Sequence, residues 1–268
     1  MKTSAIVFQF CNCLAVVAVL IMNTLVNALP INGVLTAQVS DSYPNLFTPP
    51  GYVFSIWGVI YALAIVFMFY QARPSQRSKV YLGQINFLYP ASAIANITWL
   101  FLFQYSYGVP KLLLATLIPM TALLLCLLLM YNRLGIGRRE VPRNEKLAVH
   151  LPISVYLGWI SLAIIANIAS ALNVLIPGIP MPTQAVWTAI VLLVALLITV
   201  LMVWTRKDFA FGLVVIWAST GIALNRVAIP IVFATSIVTA SVVAILVIAT
   251  PFLKKTGFIS FYMTASVQ

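Results

Sequence analysis

Acidic side chains are nearly absent from this chain, which has only four Asp and Glu residues among 268. Asp41, Glu140, Glu145 and Asp208 all fall between apolar runs, so the sequence predicts no carboxylate relay of the kind that ion pumps carry inside the membrane. The single histidine, His150, and three cysteines provide neither a four-ligand metal set nor a Ser–His or Cys–His nucleophile pair. Catalysis by charged side chains is therefore disfavoured, and we predict no catalytic residue, no bound metal and no required cofactor.

Charge of either sign is scarce, because 7% of the residues are charged, whereas 63% are hydrophobic and the mean hydropathy is +1.07. A soluble domain has about 25% charged residues, so this composition indicates an integral protein of the lipid bilayer. A helix needs about 20 mostly apolar residues to cross a bilayer. Such runs predict an all-α membrane protein of about eight transmembrane helices, at about residues 4–29, 51–71, 83–105, 110–132, 148–174, 184–204, 209–225 and 229–251.

The few cations are distributed unevenly between the loops that these spans predict. With the N-terminus in the cytoplasm, only Lys111 and Arg226 fall outside, which is a strong positive-inside bias. Topology thus explains the net charge of +11, and nucleic acid is not a predicted partner. We expect a multi-pass protein of the cell membrane with both termini in the cytoplasm. The cations on the predicted inner side are Lys2, Arg73, Arg77, Lys79, Arg133, Arg138, Arg139, Arg143, Lys146, Arg206, Lys207, Lys254 and Lys255.

Amides and tryptophans are the informative side chains inside the predicted spans. Asn96 and Trp99 are three residues apart on the third span and therefore share a helix face. On the fifth span, Asn167 lies beside a helical stripe of mixed side chains. An amide in hydrocarbon needs a partner, so Asn96 and Asn167 are expected to point into the bundle. The stripe beside Asn167 consists of Trp159, Ala166, Ser170 and Asn173.

Two interpretations of these amides and tryptophans remain open on the residues alone. A tryptophan beside an inward-facing amide provides a flat apolar wall and a hydrogen-bond donor, which suits a flat heteroaromatic ligand. Alternatively, the amides join helices and the tryptophans fill the core or anchor the membrane interface. The segments WISLAIIAN (159–167) and WASTGIALN (217–225) share Trp, Ser, Ile and Asn, which fits either a duplication or coincidence.

The entrance to the second span is rich in proline and aromatic residues, and reads FTPPGYVFSIWGVIY over residues 47–61. Proline fits the first helical turn because its missing N–H has no partner there. Trp57 and Tyr61 add more aromatic surface than a membrane anchor needs. The outward-facing loop of residues 30–50 is predicted to be a lid through Asp41, Tyr43 and Asn45, with a structured connector as the alternative.

Three sequence blocks resemble the tryptophan-rich sensory protein / translocator protein family (TspO/MBR), whose vertebrate members are called the peripheral benzodiazepine receptor. FTPPGYVFSIWGVIY is similar to the second-span signature of the family. ANITWLFLF (95–103) resembles the third-span pattern of Asn followed by Trp, and YLGWISLAIIAN (156–167) resembles the fifth-span pattern of Tyr-Leu-x-Trp with Asn eight residues later. The order of the blocks makes the resemblance specific over about residues 20–175.

The resemblance implies a five-helix core with a pocket for porphyrins, haem-like tetrapyrroles, cholesterol or synthetic aromatic drugs. Residues 1–175 would form this core, and residues 176–268 would add three further spans. Tyr52 stands where the family usually has tryptophan, one residue nearer to Trp57. Because one residue turns a helix by about 100°, Tyr52 and Trp57 are not expected to share the usual facing. The predicted ligand-binding residues are Trp57, Tyr61, Asn96, Trp99, Trp159, Ala166 and Asn167.

The leading functional hypothesis is a membrane binding protein or sensor for a hydrophobic planar ligand, with a porphyrin or related tetrapyrrole as the bound molecule and transport of that ligand as an extension. A secondary transporter of a small solute is the alternative, which the three extra spans would suit. A third hypothesis is an enzyme that modifies a bound porphyrin, with tryptophan as a redox site. The small residues Gly58 and Ala62 permit close helix contacts, either within one chain or in a homodimer.

Overall fold

The computed structural model describes residues 2–253, and it describes side chains for residues 4–250. Lys254 and Lys255, which the predicted topology uses, lie outside the described residues. The described part contains helices and connecting loops but no β-strand, in agreement with the predicted all-α class. The α-helices are α1 (Lys2–Ala28), α2 (Thr36–Asp41), α3 (Ile56–Ala72), α4 (Val80–Ile85), α5 (Leu88–Ser106), α6 (Lys111–Ala115), α7 (Leu117–Leu134), α8 (Arg143–Glu145), α9 (Leu151–Leu175), α10 (Met181–Arg206), α11 (Phe209–Asn225) and α12 (Pro230–Leu253).

Each of the eight predicted spans coincides with a helix or with consecutive helical segments. Six of these within residues 2–253 are long and apolar enough to cross a membrane. The other two are α11, which is apolar but has 17 residues, and α5, which has 19 residues and buries Ser92, Asn96 and Gln104. The predicted fourth span is divided between α6 and α7, and a π-helical turn (Lys146–His150) precedes α9. The chain is a multi-pass integral membrane protein.

Five helices form a closed ring, in which each packs against two neighbours in the order α1, α5, α7, α9, α3 and back to α1. Polar side chains tie the ring together across helix boundaries. At one end, the Gln9 side chain on α1 donates to the backbone carbonyl of Gln71 on α3 at 2.5 Å. Deeper in the ring, Asn23 donates to Asn96 Oδ1 at 3.2 Å. The ring is therefore joined by amide hydrogen bonds as well as by apolar packing.

The remaining three long helices form a bundle on the outside of the ring. Helices α10, α11 and α12 all pack against one another, and α11 also packs against α9. Gly158 on α9 allows the close approach, because a Cβ there would lie 3.2 Å from Val214 Cβ. Asp208 is the N-cap of α11, and its Oδ1 accepts a hydrogen bond from the backbone N–H of Phe211 at 3.1 Å. This carboxylate cap places the first turn of α11 beside the start of α9.

The two ends of the molecule differ in their loops. At the end that we call the basic end, the loop after α7 meets the end of α10, where Arg206 donates to Ile136 O at 3.2 Å. At the opposite end, which we call the lid end, residues 30–50 fold over the ring with a 3₁₀ turn (Ile31–Gly33) and α2. A second 3₁₀ turn (Gly51–Ser55) then leads into α3. Gly58 and Ala62 on α3 lie on an exposed surface, and a Cβ at Gly58 would have no atom within 4 Å.

Candidate functional site

A cavity of about 420 Å³ lies inside the five-helix ring, below the loop of residues 30–50. Its deep wall is apolar and includes Leu100, Met120, Leu123 and Ile160. Its upper wall is polar, with amide and hydroxyl side chains from α1 and from the loop. The side chains on this upper wall are Asn23, Asn27, Thr36, Ser40 and Thr48.

Aromatic rings form one side of the cavity. The indole of Trp57 stacks on the Tyr61 ring, with 5.6 Å between centroids and 26° between planes. Trp159 meets Trp57 edge to face, with their centroids 6.2 Å apart, and it meets Phe54 in the same manner at 5.7 Å. Such offset and edge-to-face arrangements are the favoured geometries of aromatic pairs. The result is a rigid aromatic wall contributed by α3 and α9.

Asn167 holds a further tryptophan in place on the opposite side. Its Oδ1 accepts a hydrogen bond from Trp99 Nε1 at 2.9 Å, and its Nδ2 donates to Thr116 Oγ1 at 2.7 Å. The Trp99 ring in turn stacks on Phe103, with a centroid separation of 4.9 Å and an angle of 15°. Asn167 thus lines the cavity, but its side chain is hydrogen-bonded to α5 and to Thr116 between α6 and α7. The bond to α5 fixes the orientation of the Trp99 ring.

Trp159 differs from Trp99 in its hydrogen bonding. Its side chain is buried and lines the cavity, yet its Nε1–H has no hydrogen-bond partner among the described residues. A buried donor without a partner costs about 1–3 kcal/mol. The aromatic wall therefore contains a donor that has no partner among the described residues.

The loop of residues 30–50 is tied to the ring at several points. The Tyr43 hydroxyl donates to the backbone carbonyl of Ser106 at the end of α5. Asn45 donates to Ser170 Oγ on α9 at 2.8 Å, and its Oδ1 accepts from the N–H groups of Phe47 and Thr48 at 3.0 and 2.8 Å. Asp41 and Tyr43 line the cavity, whereas Asn45 shapes the loop from behind. The loop is an ordered cap over the cavity.

Arg226 clamps this cap from the side of the three-helix bundle. It follows α11, and its guanidinium donates to Asn45 O at 2.6 Å and to Leu46 O at 3.2 Å. Burial lowers the pKa of the Arg226 guanidinium from its usual value. The sequence predicted only that Arg226 is one of two cations on the outer side. The structure places it on the backbone of the cap.

Helix α11 also completes the wall of the cavity, through Ala218 and Ile222. Gly221 lets α11 approach the 3₁₀ turn that precedes α3, since a Cβ there would lie 2.3 Å from Val53 Cγ2. Trp217 Nε1 donates to Val53 O at 3.0 Å in the same contact. The ring and the bundle therefore share one wall of the site.

The structure brings all seven predicted ligand-binding residues to the surface of this one cavity: Trp57, Tyr61, Asn96, Trp99, Trp159, Ala166 and Asn167. Their contact with a ligand stays a prediction. The expected divergence of Tyr52 from Trp57 is confirmed, because Tyr52 packs edge to face on Trp217, 5.8 Å away, and not on the cavity. Sequence reasoning missed the cavity residues Asn23, Ala218 and Ile222. Asn23 was recognisable as an amide in a predicted span, but the two apolar residues of α11 gave no signal.

Charge is almost absent from the cavity wall. Asp41, at the exposed rim, is the one ionisable acidic side chain among the lining residues that the structure describes, and no Lys or Arg joins it there. Within the described part of the chain, no group of three or more His, Cys, Asp or Glu side chains is placed to hold a metal ion. The cavity is therefore built for apolar and hydrogen-bonding contacts.

Comparison with known proteins identifies the family. The family model described as TSPO-like protein matches residues 9–249, and this range includes the three helices of the outer bundle as well as the ring. No curated protein and no solved structure gives a significant match to the chain. The match covers most of the 268 residues and agrees with the resemblance in the second, third and fifth spans. The chain belongs to the TSPO-like family, whose members are membrane proteins of the binding and transport type.

Proposed function

We propose that the cavity binds a flat hydrophobic molecule that carries a hydrogen-bond acceptor, with a porphyrin or related tetrapyrrole as the leading candidate. The observation that carries this proposal is the aromatic wall of Trp57, Tyr61 and Trp159 on an almost uncharged cavity, in which the Nε1–H of Trp159 has no hydrogen-bond partner among the described residues. The volume of about 420 Å³ lies within the range of small-molecule pockets, which is about 300–1,000 Å³.

The walls suit a flat ligand because aromatic rings face it from two sides. Trp57 and Trp159 lie on one side, and Trp99, held by Asn167, lies on the other. Stacking of each aromatic pair contributes about 0.5–1.5 kcal/mol beyond the burial of its area. A pocket whose rings are already fixed by packing and hydrogen bonds loses little entropy when the ligand enters.

The absence of cations from the described lining predicts which form of a tetrapyrrole binds better. A porphyrin with free carboxylates would place negative charge near Asp41 without a Lys or Arg on the wall to compensate. Carboxylate esters keep the acceptor oxygens and lose the charge. We therefore expect the dimethyl ester of protoporphyrin to bind more tightly than the free acid.

Tryptophan quenching in lipid nanodiscs tests the proposal directly. Saturable quenching by protoporphyrin dimethyl ester is expected, with about tenfold weaker binding for Trp159→Phe, because one hydrogen bond of about 1.4 kcal/mol is lost. Asn96→Ala should also weaken binding, because Asn96 lines the cavity beside Asn23. The matched control is Trp187→Phe, since Trp187 lies exposed on α10.

Two results would contradict this function. Quenching that does not saturate would indicate partition into lipid and not a site. Equal affinities for the wild type, Trp159→Phe and Trp187→Phe would show that the cavity is not where the ligand binds.

Movement of a ligand or small solute across the membrane is a second candidate function. A smaller cavity of about 30 Å³ lies nearer the basic end, and Trp57 and Tyr61 line both cavities. A side-chain rearrangement of these two residues would join the cavities into a longer path. Uptake into proteoliposomes that follows an imposed gradient would support transport.

The third hypothesis, an enzyme that modifies a bound porphyrin, has a separate test. Light-dependent product formation from bound porphyrin would support it.

A further inference from the structure

The mouth of the large cavity lies at the lid end. Four of the residues that line the cavity are exposed, and they mark this opening. Asn27 is in the last turn of α1, Ala37 and Asp41 are on α2, and Gly51 begins the 3₁₀ turn before α3. The other lining residues are buried or half-buried. The cavity therefore opens between the end of α1, α2 and this turn, where a bound molecule reaches the surface.

Asp41 is the one charged side chain among the lining residues that the structure describes. Its carboxylate forms no ion pair and no hydrogen bond with any residue in the described part of the chain. A carboxylate at an exposed rim is ready to pair with a cation, because neither partner has to leave water completely. The mouth is therefore negative, and no group on the described lining compensates this charge.

The two cations predicted for this side of the membrane do not neutralise Asp41. The Arg226 guanidinium is half-buried and donates to the backbone carbonyls of Asn45 and Leu46. Lys111 is exposed at the start of α6 and is not among the residues that line the cavity. Both positive charges therefore lie off the wall of the site.

The segment that carries Asp41 is held in place on both sides. Before it, Thr36 Oγ1 donates to Gln104 Oε1 on α5 at 3.4 Å, and Val39 is fully buried. After it, the Tyr43 hydroxyl donates to the backbone carbonyl of Ser106. The Asp41 carboxylate is therefore presented at a fixed position on the mouth.

The deep part of the cavity has the opposite requirement. Trp159 is 3% exposed, and its Nε1–H lacks a hydrogen-bond partner among the described residues. This indole therefore calls for an acceptor on the ligand, whereas the carboxylate at the mouth calls for a cation. The two polar features belong to one cavity, and the aromatic wall of Trp57 and Tyr61 lines it with them.

We propose that Asp41 makes the site selective for flat hydrophobic molecules that carry a cationic group at one edge, such as a quaternary or protonated ammonium group; this inference rests on the ligand site proposed above. The apolar ring system lies between the aromatic walls, and an acceptor on it meets Trp159 Nε1–H. The ammonium group stays at the mouth beside Asp41. It needs little desolvation there, so the attraction is not cancelled by the cost of burying a charge.

The expected size of this preference follows from the exposure of Asp41. Ion pairs at exposed positions contribute up to about a fivefold gain in affinity. Salt screens such pairs, since the Debye length falls from about 30 Å at 0.01 M to about 3 Å at 1 M. We therefore expect a preference of about threefold to fivefold at low ionic strength, and almost none at 1 M salt.

Two diesters of protoporphyrin that differ in charge alone test the inference. The choline diester has a quaternary ammonium group on each arm, and the 3,3-dimethylbutyl diester has a neutral carbon in place of each of those nitrogens. Tryptophan quenching of the full-length protein is titrated with each ester in nanodiscs of zwitterionic phosphatidylcholine, which do not attract the cation. Partition into this lipid is the same for every variant, so the ratio of the two affinities is compared between variants.

The ratio that favours the choline diester should be about threefold to fivefold higher for the wild type than for Asp41→Asn. Asp41→Glu should keep most of the preference, because it keeps the charge. The matched control is Glu140→Gln, which removes an exposed acid from the loop after α7 at the basic end and should leave the ratio unchanged.

The possible failures of this inference and of the proposed function are distinguishable. Saturable quenching by both esters, with the same ratio for the wild type and Asp41→Asn, would overturn the cation preference and leave the ligand site standing. A wild-type ratio that does not change with salt, or an equal fall for Glu140→Gln, would also overturn it. If neither ester gives saturable quenching, the proposed ligand site and the cation preference are both wrong.

Discussion

The five-helix ring and the three-helix bundle satisfy their buried polar groups in different ways. In the ring, amides bond across helices, as Asn23 does with Asn96 and as Asn167 does with Trp99. In the bundle, hydroxyls bond to the carbonyl four residues earlier on their own helix, as Thr188 does with Gln184 O and Thr199 with Ala195 O. These ring amides therefore bond between helices, whereas these two bundle hydroxyls bond within their own helix.

The two regions also differ in the side chains at their helix contacts. A threonine that bonds to its own helix leaves a small apolar surface, and such surfaces let helices approach closely. At Gly212 of α11, a Cβ would lie 3.0 Å from Val203 of α10 and from Val247 of α12. The three bundle helices therefore pack closely at Gly212.

The two regions are joined at both ends of the molecule. At the basic end, the loop after α7 lies against the end of α10, and at the lid end α11 and Arg226 hold the 3₁₀ turn and the cap. If the ring and the bundle form one cooperative unit, damage to either junction should destabilise the whole protein. Four substitutions test this, from the largest expected effect to the smallest.

Gly137→Ala should have the largest effect. Gly137 has a φ of +76°, and a Cβ there would lie 1.8 Å from the carbonyl oxygen of Arg206, which is backbone and cannot swing aside. We expect a loss of about 3 kcal/mol in the free energy of unfolding, measured by thermal unfolding in detergent. Gly178→Ala is the control, because Gly178 has a φ of +82° but no atom within 4 Å. Equal losses in both variants would show that the contact with Arg206 is unimportant.

Gly221→Ala should destabilise the lid-end junction by about 2 kcal/mol, because the new Cβ meets Val53 Cγ2 at 2.3 Å. The atom that the new Cβ meets belongs to a side chain, so a smaller residue at position 53 can relieve the clash. Val53→Ala in the Gly221→Ala background should recover part of the loss in a double-mutant cycle. Strictly additive losses would mean that α11 does not press on the 3₁₀ turn.

Arg226→Gln should loosen the cap. Loss of two hydrogen bonds from a half-buried guanidinium is expected to cost about 1 kcal/mol, which corresponds to about fivefold faster hydrogen exchange in residues 42–48. Arg226→Lys should repair the cap only in part, since an ammonium does not reproduce both bonds. Lys111→Gln, at the other cation predicted for this side, should leave exchange in the cap unchanged.

Trp217→Phe should have the smallest effect. It removes the hydrogen bond from Nε1 to Val53 O but keeps an aromatic ring beside Tyr52. We expect a loss of about 0.5–1 kcal/mol in the free energy of unfolding. Trp187→Phe on the exposed face of α10 should change it by less. A larger loss of unfolding free energy for Trp187→Phe than for Trp217→Phe would show that the hydrogen bond from Trp217 to Val53 O is unimportant for stability.

Periodicity and composition were sufficient to predict the helices, whereas the candidate ligand-binding residues were predicted from the family resemblance. The eight apolar runs coincide with helices because a backbone in hydrocarbon has to satisfy its own hydrogen bonds. Two amides, Asn96 and Asn167, could be assigned to the interior because amides in lipid need partners. Each has a tryptophan near it on its own helix, Trp99 and Trp159 respectively. The structure places all four side chains on the cavity. The details of helix breaks, such as the division between α6 and α7, were not foreseen.

The roles of individual residues depended on contacts that no local pattern shows. Sequence reasoning placed Asp208 between two apolar runs and gave His150 no role in a metal or catalytic site. The fold nevertheless buries both, and Asp208 accepts a hydrogen bond from Ser154 of α9. In the same way, Ala218 and Ile222 belong to the cavity only because Gly221 lets α11 lie against the 3₁₀ turn before α3.

The sequence by itself determined that this protein is a multi-pass helical membrane protein with inward amides and tryptophans, since lipid imposes helix length and polar pairing on any chain. Only the tertiary structure decided which helices close the ring, and that the outer bundle supplies a cavity wall and the clamp on the cap. These features arise between residues far apart in the chain, and helix–helix packing alone sets their distances.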